Sequence, residues 1–161
     1  VGHMVLLPDG PLCGCGQRGH AEALASRTAI ERDVREAMRG GRPSMAAELL
    51  GADQARPMTA NIIGQALERG DAVVAEAVQR AQHYLGLLVS ACVNLVDPEV
   101  VVIGGGLPER LGEPYLDAVR AVARQHFVNQ SGAERVRIVP AALGDLSGAV
   151  GAAVVARQRS A

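Results

Sequence analysis

The sequence predicts an α/β domain with a large helical portion and an incomplete sheet. Two runs of strand length, Val100–Ile103 and Arg137–Pro140, alternate with longer segments of helical periodicity. A third short apolar run, Met4–Leu7, ends at a proline and glycine turn signal. Because Val100–Ile103 is apolar throughout, we expect it to be buried on both faces. Three strands are fewer than the five or six of an average sheet, so an exposed edge or a missing part of the sheet is expected.

The helices are predicted from capping residues, glycine breakers and apolar periodicity. Asp71 is expected to cap the longest helix, along which apolar residues recur at helical spacing from Val74 to Cys92. Thr59 is expected to cap the preceding helix, which Gly70 closes. The predicted helices are Ala21–Ser26, Thr28 to Gly40, Pro43 to Gly51, Ala60–Arg69, Ala72–Leu95, Leu116–Phe127 and Gly148–Arg157.

Composition restricts the partners. The chain has 161 residues, 48% of them hydrophobic, which is enough for one domain-sized core. Its 16 basic and 17 acidic residues give a formal net charge of -1, so neither a nucleic-acid surface nor an anionic membrane is indicated as a partner. No apolar run reaches the roughly 18 to 20 residues that cross a bilayer, and the first residues lack the features of a secretory signal. We therefore expect a cytoplasmic protein.

Four zinc-type ligands lie within the first twenty residues: His3, Cys13, Cys15 and His20. Glycines between and after the two cysteines let the loop fold tightly enough for both thiols to face one ion. Cys92 lies apart in an apolar stretch, and three cysteines cannot form a complete disulfide set, so the spacing favours a metal. The simpler alternative makes His20 a surface residue and the thiols merely reduced. The tripeptide Gly-His-Met is also a common cloning remnant, which would make His3 incidental.

Several segments carry a family resemblance that covers essentially the whole chain. The most specific is the cysteine and glycine motif near the start. The segments are Gly2–Met4, Pro8–Gly10, Cys13–Gly16, Gly19–Glu22, Ala25–Ser26, Ala66–Asp71, Asn94–Glu99, Val102–Leu107 and Leu143–Ala152. On these segments the chain resembles the ROK family (repressors, open reading frames and sugar kinases). The resemblance implies the carboxy-terminal domain of an actin-like, ribonuclease-H-like ATPase with a zinc-binding loop.

The same resemblance implies roles for the residues of this loop. In the family pattern a histidine, a Cys-x-Cys pair and a third cysteine five residues later bind one structural zinc. His3, Cys13 and Cys15 occupy the first three positions, and His20 stands in place of the third cysteine, so we expect a Cys2His2 site. His3 is also implied to hydrogen-bond a sugar hydroxyl, and Glu22 to bind the sugar. Taken alone, Glu22 would be an ordinary acid in the first turn of a helix.

A second implied site follows the strand at Val100–Ile103. The resemblance places the adenosine of ATP at Gly104, Gly105 and Gly106. Glycines after a buried strand let the backbone approach a nucleotide closely, although three glycines could also form only a tight strand-to-helix turn. The segment Gly144–Gly151 is likewise implied to lie near the nucleotide, or to permit close helix packing.

The resemblance implies that the full-length protein is an ATP-dependent hexose kinase, similar to glucokinases. Its phosphate loop, second glycine-rich loop and catalytic aspartate belong to an amino-terminal domain that is expected to be absent here. No catalytic residue is therefore predicted in this chain, which alone is expected to be inactive. Asp97 and Asp145 are interpreted as helix-flanking residues. The expected partners are a hexose, with glucose as the default, ATP with Mg²⁺, and a second copy in a homodimer.

We expect one domain over residues 1–161, with a zinc loop and sugar segment at 1–26, a helical part at 27–96 and a nucleotide-side α/β part at 97–161. The main alternative function is the sugar-sensing effector domain of a ROK repressor, whose DNA-binding helices lie far upstream. A third possibility is a stand-alone zinc-stabilised interaction module without sugar affinity. The kinase is favoured because the spacing from His3 to Glu22 and the closing segment Gly144–Ala152 look most similar to glucokinases.

Overall fold

The computed structural model describes residues 1–159; Ser160 and Ala161, which end the predicted domain, lie outside the described residues. The described part is mostly helical, and two short strands form its sheet. Its α-helices are α1 (Ala21–Ala25), α2 (Arg27–Arg39), α3 (Met45–Leu50), α4 (Ala60–Glu68), α5 (Ala72–Val96), α6 (Gly106–Gln125) and α7 (Ser147–Arg159), and its strands are β1 (Val100–Ile103) and β2 (Arg137–Pro140).

The two strands run parallel, with Val101 opposite Ile138 and Ile103 opposite Pro140. Parallel strands require a crossover connection, and α6 supplies it between β1 and β2. The side of the sheet that carries Ile103 and Ile138 is buried against the helices, where these two residues are 8% and 2% exposed. On the opposite side Val102 is 61% exposed. The expectation that β1 is buried on both faces is therefore wrong within the described residues, because no element covers its outer side.

Helix α5 is the central element of the core. It begins at Asp71, whose carboxylate accepts hydrogen bonds from the backbone N–H groups of Val73 and Val74. It ends at Asp97, a residue in the left-handed region with φ of 45°, directly before Pro98. Helices α1, α2, α4 and α6 all pack against α5. The largest fully buried side chains of the resulting core are Ile30, Val34, Met58, Ile63, Val74, Leu116 and Val119.

The contact between α5 and α6 depends on a glycine. A Cβ placed on Gly86 would lie 2.6 Å from Cβ of Val122, closer than real Cβ atoms approach other atoms. Replacing Gly86 with alanine is therefore expected to push the two helices apart, at a cost of about 1–3 kcal/mol that the better helix propensity of alanine offsets only partly. We expect a net loss of about 1–2 kcal/mol in the free energy of unfolding, measured by urea denaturation.

The matched control is Gly151→Ala in α7. Gly151 is also helical, but the space around its Cβ position is open. This variant should be as stable as the parent or gain up to about 1 kcal/mol. Equal stabilities for the two variants would show that α5 and α6 do not meet closely at Gly86.

Three sequence-based boundaries differ from the structure. Met4–Leu7 is not a strand, because Val5 forms only an isolated antiparallel bridge with His20. Helix α3 begins after Ser44, whose hydroxyl accepts from the backbone N–H of Ala46, rather than at Pro43. Helix α6 begins ten residues before the predicted start, and it is kinked at Gly112, where φ is 66°. The sheet described here therefore has two strands rather than three.

Helix α7 contrasts with the other helices. It packs on the short 3-10 turn Gly144–Leu146 before it, and its residues from Gly148 to Arg159 are all exposed. Val150, Val154 and Val155 are 39%, 40% and 47% exposed. None of the described helices is long and apolar enough to cross a membrane.

Candidate functional site

The loop of residues 1–20 is folded around one close backbone approach at Gly19. Its carbonyl oxygen accepts hydrogen bonds from the N–H groups of Leu6 and Leu7, at 2.9 and 3.2 Å, and its own N–H donates to the oxygen of Pro11 at 3.0 Å. Gly19 has a φ of +71°, and a Cβ there would lie 1.6 Å from the carbonyl oxygen of Leu7. Only glycine is compatible with this arrangement.

A second tight turn places the two cysteines. The N–H of Cys13 donates to the oxygen of Gln17 at 2.8 Å, and the N–H of Gly16 donates to the oxygen of Cys13 at 2.9 Å. Leu12 and Arg18 form an antiparallel bridge across the base of this turn. The chain therefore reverses directly after Cys15 and returns toward His20 at the start of α1.

These two turns bring together all four predicted metal ligands. One ligand atom from each of His3, Cys13, Cys15 and His20 lies within 4.8 Å of the others. Sγ of Cys15 lies 3.2 Å from Nδ1 of His20, and the rings of His3 and His20 stack with centroids 5.2 Å apart. Cys13 and His20 are buried, at 3% and 7% exposure, whereas His3 and Cys15 are exposed. The cluster is thus closed on its inner side and open to solvent on its outer side.

The donor set of this cluster fits zinc. Two thiolates and two imidazoles are ligands of a closed tetrahedral site, with zinc–sulfur and zinc–nitrogen distances of about 2.3 and 2.0–2.1 Å. Two atoms bound to one ion in this way lie about 3.5 Å apart. The four ligand atoms lie within 4.8 Å of one another, so the side chains would have to move closer together to share one ion.

Glu22 lies beside the cluster on the exposed side. Its Oε2 atom is 3.6 Å from Nε2 of His3, and the two side chains are 53% and 61% exposed. The backbone fixes this pair, because the N–H of Glu22 donates to the oxygen of Gly2, and the N–H of Ala21 donates to the oxygen of Met4, both at 2.9 Å. A carboxylate and an imidazole that face each other at the surface can both hydrogen-bond a polyhydroxylated molecule.

The glycine turn after β1 lines a cavity of about 290 Å³. Gly105 has a φ of +108°, and a Cβ on Gly104 would lie 3.2 Å from Cβ of Ala141. The opposite wall is formed by the junction of α1 and α2 and by side chains from α5 and α6. The cavity is lined by Ala25, Ser26, Arg27, Leu85, Ile103, Gly104, Gly105, Gly106, Leu107, Pro108 and Tyr115. The cavity therefore lies between the end of α1 and the glycine turn that is predicted to bind the nucleotide.

The polar residues that line this cavity include Arg27, which is held by hydrogen bonds, and Tyr115, which is buried. Arg27 donates to the carbonyl oxygen of Met58 at 2.6 Å and to Glu31 at 2.8 Å. Burial opposes the ionisation of Glu31, but hydrogen bonds from Arg35 and Arg27 outweigh it and lower the pKa of Glu31. Burial raises the pKa of Tyr115 to about 12, so its hydroxyl stays neutral at physiological pH.

Sequence reasoning did not identify Arg27 or Tyr115 as residues near the glycine turn. Neither belongs to a local motif, since the cavity arises where segments almost 90 residues apart pack together.

Gly144, which is predicted to lie near the nucleotide, lies beside the first turn of α6, with a Cβ position 3.9 Å from the carboxylate of Glu109. Asp97 caps the end of α5 and pairs with Arg135 at 2.7 Å, and Asp145 lies in the 3-10 turn before α7.

Comparison with known proteins identifies one family and its relatives. The sequence profile of the ROK family matches residues 1–159. A glucokinase from Thermotoga maritima is 31% identical over 99% of the chain and 49% of its own length. The chain therefore spans about half the length of the curated relatives it matches.

Two solved structures resemble the chain in fold. A ROK family glucokinase from Streptomyces griseus, solved in complex with glucose and AMPPNP, is 32% identical with a TM-score of 0.80, and the match covers 98% of this chain and 50% of that one. A ROK family transcriptional regulator, a homologue of the E. coli MLC protein, is 25% identical with a TM-score of 0.69, over 86% of this chain and 33% of that one. The fold is thus that of half of a ROK protein, consistent with a small sheet beside many helices.

Proposed function

This chain belongs to the ROK family, and from that premise we propose that it forms part of an ATP-dependent hexose kinase similar to glucokinases. The observation that carries the proposal is the pair of His3 and Glu22, which face each other at 3.6 Å on the open side of the His/Cys cluster. The resemblance to the family implies that these positions contact the sugar. The relatives support the same reading, since a glucokinase matches nearly the whole chain.

We assign the sugar-binding role to Nε2 of His3 and the carboxylate of Glu22. A sugar hydroxyl placed between them could donate to the carboxylate and accept from the imidazole. Binding by two fixed groups would orient a hydroxyl for attack on the γ-phosphate of ATP, and orientation of the reactants is a main contribution to phosphoryl transfer. The base that removes the hydroxyl proton, an aspartate, is expected outside this chain.

We assign zinc binding to His3, Cys13, Cys15 and His20. When bound, zinc supplies a fixed tetrahedral link between the loop and the start of α1. His3 serves both sites, so the geometry of the sugar site depends on that of the metal site. Removal of zinc by a chelator should therefore weaken sugar binding before it affects the helical core.

The adenosine of ATP is assigned to the cavity at Gly104, Gly105 and Gly106. The support is the positive φ of Gly105 and the cavity of about 290 Å³ beside it. Arg27 and Tyr115 are polar residues of its wall. Mg²⁺ would bind with the phosphates in the full-length enzyme. We propose that this enzyme is a cytoplasmic homodimer without a membrane partner, and without a nucleic-acid partner unless the repressor alternative holds.

The direct test is ATP-dependent phosphorylation of a hexose panel by the full-length protein, measured as ADP release. Turnover on one or two sugars would establish the kinase and identify its substrate. Glu22→Gln should lower kcat/KM about 10- to 100-fold, because the sugar hydroxyl would then donate to a neutral amide oxygen instead of a charged carboxylate. Glu48→Gln, at an exposed glutamate on α3 outside the loop, should leave kcat/KM unchanged. If both variants changed kcat/KM by the same factor, Glu22 would not be a sugar-binding residue.

The second candidate is the sugar-sensing domain of a ROK repressor, which the similarity to the transcriptional regulator favours. Such a domain would bind the sugar through the same two residues without turnover. Calorimetric sugar binding without ADP release across the panel would support it. Absence of both sugar binding and turnover would instead favour a zinc-stabilised interaction module.

A further inference from the structure

A second cavity, of about 420 Å³, lies between α4, α5 and α6. This volume falls within the range of roughly 300–1,000 Å³ that is typical of small-molecule sites. It is also larger than the cavity at the glycine turn, which has about 290 Å³. Its lining residues come from these three helices, so the cavity is separate from the loop of residues 1–20. Its apolar walls include Leu67, Val78, Leu111 and Pro114.

The kink in α6 borders this cavity. Gly112 has a φ of 66°, and Pro114, which has no N–H for a helical hydrogen bond, follows two residues later. Leu111 before the kink and Pro114 after it both line the cavity. The next residue, Tyr115, lines this cavity and also the cavity at the glycine turn, so the two cavities are neighbours.

The charged groups at this cavity neutralise each other. Among the described residues that line it, only Glu68 and Arg110 are charged, and they form an ion pair at 2.7 Å. Arg110 also donates to the side-chain oxygen of Asn61 at 3.2 Å, and its guanidinium packs on the backbone of α4, since a Cβ on Gly64 would lie 2.6 Å from Cζ. The cavity therefore offers no unpaired charge, which favours a neutral ligand.

A buried amide supplies a hydrogen-bond acceptor in the cavity. Gln82 is only 9% exposed, and its Nε2 atom donates to the carbonyl oxygen of Tyr115 at 3.2 Å. Its Oε1 atom accepts no hydrogen bond from the residues that the structure describes. In the same part of the chain no side-chain polar atom is both fully buried and without a partner, so Oε1 must touch solvent. The solvent beside Gln82 is that of the cavity.

We propose that this cavity is a binding site for a neutral, largely apolar ring molecule that donates one N–H or O–H group to Oε1 of Gln82. The apolar walls would supply most of the binding free energy, and the single acceptor would fix the orientation of the ring, as is usual in small-molecule sites. The site is distinct from those assigned to the sugar, the metal and the adenosine, and it does not depend on the kinase activity.

The test uses indole, a neutral bicyclic molecule with one N–H, and benzofuran, which has the same shape but no N–H. Both would be titrated into the full-length protein by NMR. We expect indole to bind about two- to tenfold more tightly than benzofuran, since only indole can donate to Gln82. In Gln82→Leu, which removes the acceptor, the two affinities should become equal. Absence of indole binding to the parent, or equal affinities of both molecules for the parent, would overturn the proposal.

A second variant locates the site without touching Gln82. Ala75 lines the cavity and is only partly exposed, so the ring of Ala75→Phe would fill it and weaken indole binding by about tenfold or more. Ala72→Phe is the matched control, because it adds the same ring at an exposed position of α5 outside this cavity. Its affinity for indole should equal that of the parent. Equal weakening by both variants would mean that indole binds elsewhere, and would also overturn the proposal.

Competition with AMPPNP separates this site from the adenosine cavity beyond Tyr115. Saturating AMPPNP should not displace indole from the full-length protein. Displacement would show that the cavity belongs to the nucleotide site and would contradict the proposal. Because none of these measurements uses sugar turnover, an inactive protein would not count against the site, and a failure to bind indole would not count against the kinase.

Discussion

Replacing Gly19 with alanine is expected to abolish the proposed metal binding by the loop of residues 1–20 while the helical core stays folded. The added Cβ would lie 1.6 Å from the carbonyl oxygen of Leu7, and real Cβ atoms essentially never approach within 3.0 Å. The left-handed φ of +71° adds a cost of about 1–2 kcal/mol for a residue with a side chain. Relief of the clash would break the hydrogen bonds from Leu6 and Leu7 to the oxygen of Gly19 and shift the adjacent His20.

The matched control for this prediction is Gly16→Ala. Gly16 lies in the same loop and also has a positive φ, of +92°, but nothing lies within 4 Å of its Cβ position. It should keep one metal ion per chain with a modestly lower affinity. Zinc content after dialysis and far-ultraviolet circular dichroism would be measured for both variants. Retention of stoichiometric zinc by Gly19→Ala would mean that the close approach to Leu7 is not needed to assemble the cluster.

The helices could be predicted from sequence because their signals are local. Thr59 and Asp71 each accept hydrogen bonds from backbone N–H groups within three residues, as an N-cap requires, and both predicted caps are confirmed. The start of α6 was missed because the sequence there begins with glycines and includes Pro108. Proline is compatible with the first helical turn, where its missing N–H has no partner to lose.

The sheet was harder to predict because strand pairing depends on residues far apart in sequence. The sequence predicts both strands correctly, Val100–Ile103 and Arg137–Pro140. It does not predict the exposure of Val102, because that depends on which elements pack on the outer side of the sheet. Met4–Leu7 has the apolar character of a strand, yet a strand also needs a neighbour, and His20 offers only one bridging residue. Apolar pattern alone therefore overestimated the number of strands.

The two candidate sites also differ in how far they can be predicted from local sequence. The grouping of His3, Cys13, Cys15 and His20 could be expected from sequence, since all four ligands lie on one short loop. The cavity at the glycine turn could not, because Tyr115 reaches it only through the packing of α6 against α5. Short-range spacing therefore predicts that these four side chains cluster, whereas a cavity between helices depends on the tertiary fold.

Asp71 joins two helices through one buried carboxylate. Its Oδ1 atom accepts from the N–H groups of Val73 and Val74 at the start of α5, at 2.9 and 3.1 Å. Its Oδ2 atom accepts from the hydroxyl of Ser44 at 2.6 Å and from the N–H of Ala46 at 3.3 Å, at the start of α3. The residue is only 4% exposed, so water cannot replace these bonds readily.

Replacing Asp71 with alanine is therefore expected to lower the free energy of unfolding by about 2–4 kcal/mol, because α5 loses its N-cap and the Ser44 hydroxyl and Ala46 N–H at the start of α3 lose an acceptor. The melting temperature should fall by roughly 6–12 °C. Asp53→Ala is the matched control, since Asp53 also accepts two backbone N–H bonds, from Ala55 and Arg56, but lies on an exposed turn. It should change the stability by about 1 kcal/mol or less, and equal losses in both variants would contradict the bridging role of Asp71.

The pH dependence of stability gives an independent check on Asp71. Burial opposes its ionisation, but hydrogen bonds from Ser44, Val74 and Ala46 outweigh it and lower its pKa below the ordinary value of 3.8. A lowered folded-state pKa stabilises the protein fully above the unfolded value, and this contribution is lost as pH falls through the folded value. Urea denaturation should therefore show a stability difference between the parent and Asp71→Asn that is constant near pH 7 and shrinks below pH of about 4. A difference that stayed constant into that acidic range would mean that the charge of Asp71 does not contribute, and that its hydrogen bonds act equally well from a neutral group.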